Sequence, residues 1–206
     1  MLSEKSGLLD EIRGRFAHVD TCPFEGPRVF FENAGGALTL NSVVETSAKF
    51  AAIPDNQGRD NPAAHALVAL IDKAKADMRL FFNAPKGQFF VGESGTELLF
   101  RLIRTAIVGT GAGRVLGSTL EHPASRSAAA HWTEVAGKPH ILVAHDDATG
   151  TVGPEAYRPE ITPDTRVATI LHTSPVTGMG VDVGAIAAEI RKIAPDCIII
   201  VDGIQH

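Results

Sequence analysis

The chain has 206 residues, with 19 Lys and Arg against 24 Asp and Glu, a net charge of −5 with His neutral, and enough apolar content (44%) to bury a real core. The acidic balance excludes nucleic acid and anionic membranes as default partners, because both require clustered basic surface. Two distant cysteines, Cys22 and Cys197, exclude a disulfide framework and a thiolate metal site, so the expectation is a reduced, cytoplasmic protein with no metal. The first twenty residues show no secretory signal, and no stretch approaches the roughly 20 apolar residues of a membrane span.

Leu8, Leu9, Ile12 and Phe16 recur at helical spacing and predict a short amphipathic helix within residues 3–17. Cys22-Pro23-Phe24 through Pro27 breaks it. Val29-Phe30-Phe31 reads as a strand or extended segment running into Asn33-Ala34-Gly35-Gly36, where paired glycines suit a turn or a close approach of backbone to a ligand. Asn41 is placed to cap a helix over residues 42–50. Residues 54–65 are polar and rich in breakers and predict a loop, and Leu67, Leu70, Ile71, Met78 and Phe81 then predict a long helix over 66–82. Gln88-Phe89-Phe90-Val91 reads as a strand, followed by the turn Gly92 to Glu97 and a helix over 98–108.

From there strand and helix alternate. Strands are expected at 113–117, 140–143 and 166–171, and helices at 125–132 and 183–193, the latter built on Ile186, Ile190 and Ile193; residues 154–163 read as irregular. Ile198, Ile199, Ile200 and Val201 form an unbroken β-branched run, the pattern of a parallel strand buried on both faces, and it stops at Asp202-Gly203. Repeated β-loop-α units predict an α/β fold of three layers, a mostly parallel sheet with helices on both faces.

Four strand exits carry polar chemistry, and ligands of open α/β sheets collect at the carboxyl ends of the strands. Ser94-Gly95-Thr96 opens a helix, where unpaired N–H groups and the dipole favour an anion; Thr96 adds a hydroxyl or acts as the helix cap. Neither a Walker loop nor a dinucleotide fingerprint is present. Glu121-His122-Pro123 offers an imidazole that stacks on a flat ring or moves protons, or is simply structural. His172-Thr173-Ser174-Pro175-Val176-Thr177-Gly178 is rich in short donors. Asp202, with Gln205 three residues on, is either a solvated turn or a carboxylate facing a ligand. Together, an anion cradle, a stacking imidazole and an Asp suited to a ring nitrogen fit pyridoxal 5′-phosphate (PLP).

These stretches, with Phe31-Glu32-Asn33-Ala34-Gly35-Gly36 before them and Val201-Asp202-Gly203-Ile204-Gln205 at the end, run in order over nearly the whole chain. On them the sequence resembles the N-terminal half of a class V aminotransferase, the PLP-dependent group that contains cysteine desulfurases, selenocysteine lyases, kynureninases and an epimerase branch. The resemblance implies the large domain of the fold type I PLP-dependent transferases, truncated: residues 1–25 would be an N-terminal helical segment of the small domain, and 26–206 an incomplete PLP-binding domain. It implies that Gly95 and Thr96 hold the cofactor phosphate, His122 stacks on the ring, Asp202 pairs with the ring nitrogen and Gln205 approaches the phenolic oxygen. His122 and Asp202 would be the catalytic residues, and Asn33, Ala34 and Gly35 would lie near the substrate carboxylate.

The implied function is that of a PLP-dependent enzyme acting on an amino acid, a homodimer when complete. Three departures stand out. Pro175 and Phe100 occupy places where the family often has Asn, and the Lys that forms the Schiff base in the family follows the Asp at a distance this chain does not reach. The chain is therefore expected to be a fragment inactive alone. Two other readings are a non-catalytic α/β protein that keeps the fold and binds a ligand or partner, and a nucleotide-binding α/β domain, for which no phosphate loop fits.

Overall fold

The computed structural model describes residues 7–31, 33, 35–54 and 57–205, and the chain divides into two units, Met1–Phe90 and Val91–His206. The first holds helix α1 (Leu8–Gly14), an antiparallel pair of two-residue strands β1 (Thr21–Cys22) and β2 (Gly26–Pro27), and helices α2 (Asn41–Ala51) and α3 (Pro62–Phe81). Among its described residues only Ala64 is buried.

Local chemistry moves several expected boundaries here. Helix α3 begins at Pro62, inside the expected loop, because the Asn61 side chain accepts from Ala64 N at 2.9 Å and Pro62 fills the first turn, where an N–H would have no partner. Asn41 does not cap α2. It is the helix's first residue, and its amide donates to Gly14 O at 3.2 Å. Val29–Phe31 and Gln88–Val91 form no strand: neither finds a ladder partner among the described residues, and Phe31 and Val91 are exposed.

The second unit is the predicted α/β fold. Four parallel strands, β3 (Arg114–Ser118), β4 (His140–Val143), β5 (Thr165–Leu171) and β6 (Ile198–Asp202), run in the order β4-β3-β5-β6. They are joined with α4 (Gly95–Gly109), α5 (Pro123–Ala136), a short α6 (Pro154–Tyr157) with a 3₁₀ turn after it, and α7 (Val183–Ile193). The turn of helix at Pro154 lies where irregular chain was expected, because Pro at a first helical position needs no donor.

Side chains alternate across the strands and so divide between two cores. Leu116, Ala168 and Ile170 join Tyr157, Ile186 and Ile190 on one face, while Val115 and Val167 join Ile103, Ile107, Ala128 and Ala129 on the other. The three layers follow directly. Strand β6 departs from expectation. Among the described residues it pairs only with β5, Ile198 and Val201 keep 41% and 45% of their surface, and the β-branched run stands at the edge of the four-stranded sheet rather than being fully buried.

Candidate active site

Because the four strands are parallel, their carboxyl ends lie along one edge of the sheet. Asp202 ends β6 there, 5% exposed. Its Oδ2 accepts from Ser125 Oγ of α5 at 3.2 Å, its Oδ1 from Ile204 N at 3.3 Å, and its carbonyl accepts from His172 N at 2.9 Å, which continues the β5–β6 ladder past the strand. A solvated turn is excluded: this carboxylate is buried and oriented from two sides.

Helix α4 starts beside it. A Cβ built on Gly95 would stand 3.9 Å from Ile204 Cδ1, so the helix N-terminus adjoins the loop after Asp202. The cap is Ser94, whose Oγ accepts from Glu97 N at 3.1 Å, rather than Thr96. Glu97 in turn accepts from Glu93 N at 3.0 Å, a reciprocal capping arrangement. A Cβ on Gly92 would run into the Glu97 carboxylate and come within 2.8 Å of Leu98, so those side chains would have to shift. With Ser94 serving the N–H of Glu97, the exposed first turn at Gly95 and Thr96 retains free N–H groups and the positive end of the dipole, the requirements of an anion site.

His122 caps α5. Its Nδ1 accepts from Ala124 N at 3.1 Å, which orients the half-buried imidazole and leaves Nε2 without a partner among the described residues. Gln205 is half-buried, three residues beyond Asp202. Thus Gly95, Thr96, His122, Asp202 and Gln205 all belong to the second unit, at helix starts and strand exits. Asn33 and Gly35 are exposed turn residues of the first unit, and Ala34, like Glu32, lies outside the described residues.

Near the edge lies a polar cluster built around Glu121, which stands in the stretch with His122 but has no role assigned from sequence. Glu121 is 2% exposed, and neither of its carboxyl oxygens has a hydrogen-bond partner; the same holds for Ser118 Oγ and Tyr157 Oη. Burial pushes the Glu121 carboxyl up to about 7, and the negative charge of Asp202 adds to the shift; the dipoles of Thr169, Ser118 and Leu171 oppose it without reaching hydrogen-bond geometry. The Tyr157 phenol is pushed up by burial and then by the charge of Glu121. A Glu in the short loop between a buried strand and a helix is the one signal that could have marked it.

Two hydroxyls of the His172–Gly178 stretch bind backbone of this loop or of its neighbour. Ser174 Oγ accepts from Val176 N and Thr177 N at 3.1 and 3.2 Å, and Thr177 Oγ1 donates to Gly150 O at 2.7 Å. Phe100 is a packing residue, its ring 6.0 Å from His131 and 5.6 Å from Trp132. Among the described residues no group of three His, Cys, Asp or Glu could hold a metal ion, and no helix is long and apolar enough to cross a membrane.

The profile described as aminotransferase class-V matches residues 29–206. The cysteine desulfurase-like protein ustD of Aspergillus flavus is 29% identical over 190 residues, a match spanning 87% of this chain and 42% of that protein. Among solved structures, the cysteine desulfurase CsdA from Escherichia coli superimposes with a TM-score of 0.74 at 21% identity, over 94% of this chain and 48% of that one. A C-DES mutant with glycine covalently linked to its PLP cofactor gives a TM-score of 0.74 at 18% identity, over 94% and 49%. The chain thus spans less than half the length of each.

Proposed function

The chain belongs to the aminotransferase class-V family, and from that premise we propose that it forms the cofactor-holding part of a PLP-dependent enzyme acting on an amino acid, in the manner of a cysteine desulfurase. One observation carries the reading: a buried carboxylate, Asp202, oriented by Ser125, beside the open N-terminus of α4. The residues fit the cofactor. The first turn at Gly95 and Thr96 suits a phosphate, Asp202 suits a protonated ring nitrogen, and the fixed imidazole of His122 suits the flat ring between them.

When bound, PLP supplies an electron sink for a carbanion formed on the substrate. This chain's part is to hold and orient it. Asp202 keeps a proton on the ring nitrogen, and Ser125 and the N–H of Ile204 hold that carboxylate in one direction. His122 limits the ring to one plane, with Nδ1 engaged so that its proton lies at Nε2. Gln205 is assigned to the phenolic oxygen, and Asn33, Ala34 and Gly35 to the substrate carboxylate. Residues 1–25 are assigned to the small domain and 26–206 to the large one. We assign the complete enzyme to the cytoplasm and to a homodimer.

A second reading, ligand binding without covalent chemistry, is favoured by the lysines of this unit. Lys138 Nζ donates to Ile107 O and Thr110 O at 2.6 and 2.9 Å, and Lys192 Nζ to Glu189 Oε1 at 2.6 Å, so both are held away from the Asp202 edge. Equilibrium dialysis with PLP tests the two together. Binding that inorganic phosphate competes away and Asp202→Asn weakens tenfold or more supports a cofactor site. Retention of full affinity by Asp202→Asn removes Asp202 from it, and a chain that takes up no PLP counts against both readings. Borohydride then separates them in the whole protein: fixation of the bound cofactor there marks covalent attachment through a lysine.

A further inference from the structure

Glu121 is a buried carboxyl that the proposed cofactor contacts do not use. It lies in the loop between β3 and α5, two residues before Pro123, and Leu171 of β5 is the registered partner of Asp202 on β6. Ser125, one turn into α5 from Glu121, is hydrogen-bonded to Asp202. The charge that acts on Glu121 is that of Asp202, and its other titratable neighbour is the buried Tyr157 of α6. No basic side chain is among the groups acting on it. Two buried carboxyls therefore lie near this edge of the sheet, one oriented by two donors and one with no partner at either oxygen among the described residues.

We propose that Glu121 is a positioning residue that acts through Asp202: the two carboxyls form one electrostatic unit behind the ring nitrogen, and the ionisation of Glu121 follows whether Asp202 faces a cation. The inference rests on the PLP reading above. Without a ligand, the Asp202 anion and burial together favour the protonated Glu121 carboxyl. A pyridinium placed against Asp202 cancels that anion's field, so Glu121 gives up its proton more readily and its charge then reinforces the one on Asp202. Ligand binding and loss of the Glu121 proton are thereby linked, and affinity attributable to Glu121 rises as pH increases through about 7.

Pyridoxamine 5′-phosphate is the probe, because it carries the ring nitrogen and phosphate but no aldehyde and needs no lysine. Its affinity for the full chain and for Glu121→Gln is measured from pH 6 to pH 8. Titrations of the ligand itself affect both proteins alike, so the informative quantity is the ratio of the two affinities. The expected result is a ratio that shifts in favour of the unsubstituted chain by up to about tenfold, the equivalent of one pKa unit. An infrared difference spectrum at pH 7 gives a second readout that needs no variant: the band of a buried protonated carboxylic acid should be lost on binding.

A constant ratio, or a carboxylic acid band that binding leaves untouched, overturns the proposal while leaving the cofactor reading in place. Absence of pyridoxamine 5′-phosphate binding to the unsubstituted chain overturns both. Should Glu121→Gln fail to fold, Glu121→Leu, of similar bulk and without a carboxyl, takes its place in the ratio.

Discussion

Ser125 and Asp202 stand 77 residues apart in the chain, yet the Ser125 hydroxyl donates to the buried Asp202 carboxylate at 3.2 Å. The bond ties the start of α5 to the end of β6 and spans the strand between them. It settles which way the carboxylate faces, and a strand-end Asp becomes an oriented acceptor at the edge where α4 also begins.

Ser125→Ala should therefore cost about 1 kcal/mol of stability, the usual net value of such a bond, with more if the carboxylate is left short of a donor. Chemical denaturation measures it. Asp202→Asn should keep the fold, because Asn can still accept from Ile204 N at its oxygen and donate from its amide to the Ser125 hydroxyl, while PLP binding falls. A variant that unfolds would show that Asp202 is structural first.

Stability should depend on pH through Glu121. Its folded value of about 7 lies above the ordinary 4.5, so the folded state keeps a proton that the unfolded chain has released. The contribution is fully present below pH 4.5, declines as pH rises from there, and is lost once pH passes about 7. The difference corresponds to about 3 kcal/mol. Urea titrations at pH 5 and pH 8 should show the decline in the unsubstituted chain, and Glu121→Gln should abolish most of it. An identical decline in the variant would assign the effect elsewhere.

Ser94→Ala should destabilise α4 by about 1 kcal/mol, through loss of the acceptor for the Glu97 N–H. Thr96→Ala should leave stability nearly unchanged, since the Thr96 hydroxyl does not cap the helix, and should weaken phosphate-dependent binding if Thr96 contacts that group. The pair separates capping from ligand contact by melting and by dialysis.

The two thiols should differ widely in reactivity. Burial pushes Cys197 up to about 11, whereas backbone hydrogen bonds at Phe24 and Glu25 lower the Cys22 thiol. Mass spectrometry after brief alkylation at pH 8 should find Cys22 modified and Cys197 intact until the chain is unfolded. Early modification of Cys197 would contradict its burial.

Exposed apolar surface should govern the behaviour of the isolated chain. Phe24, Phe31, Leu80 and Phe81 are more than four-fifths exposed, and among the described residues β6 has an unpaired edge, with Ile198 and Val201 part-exposed on it. The 206-residue chain should self-associate and bind hydrophobic dyes. A monodisperse monomer with a cooperative melt, observed by sedimentation and calorimetry, would mean that this surface is covered in some other way.

The α/β class was legible because the evidence for it is local. Runs such as Val167–Leu171 and Ile198–Val201 and the helical spacing of Ile186, Ile190 and Ile193 carry their periods within a few residues, and the ordered polar stretches marked the strand exits. Boundaries set by a side-chain cap, as at Asn61, were not read, because capping competes with loop composition over only three residues. Pairing could not be read either: Gln88–Val91 has a strand's composition and no partner, and the apolar run of β6 falls at an edge, since a ladder depends on segments far apart in sequence. Residue types alone nominated Asp202, His122 and the turn at Gly95. Only the tertiary structure brought Ser125 to Asp202 and buried Glu121 without a partner beside it, because burial and long-range electrostatics exist only once distant strands and helices have packed.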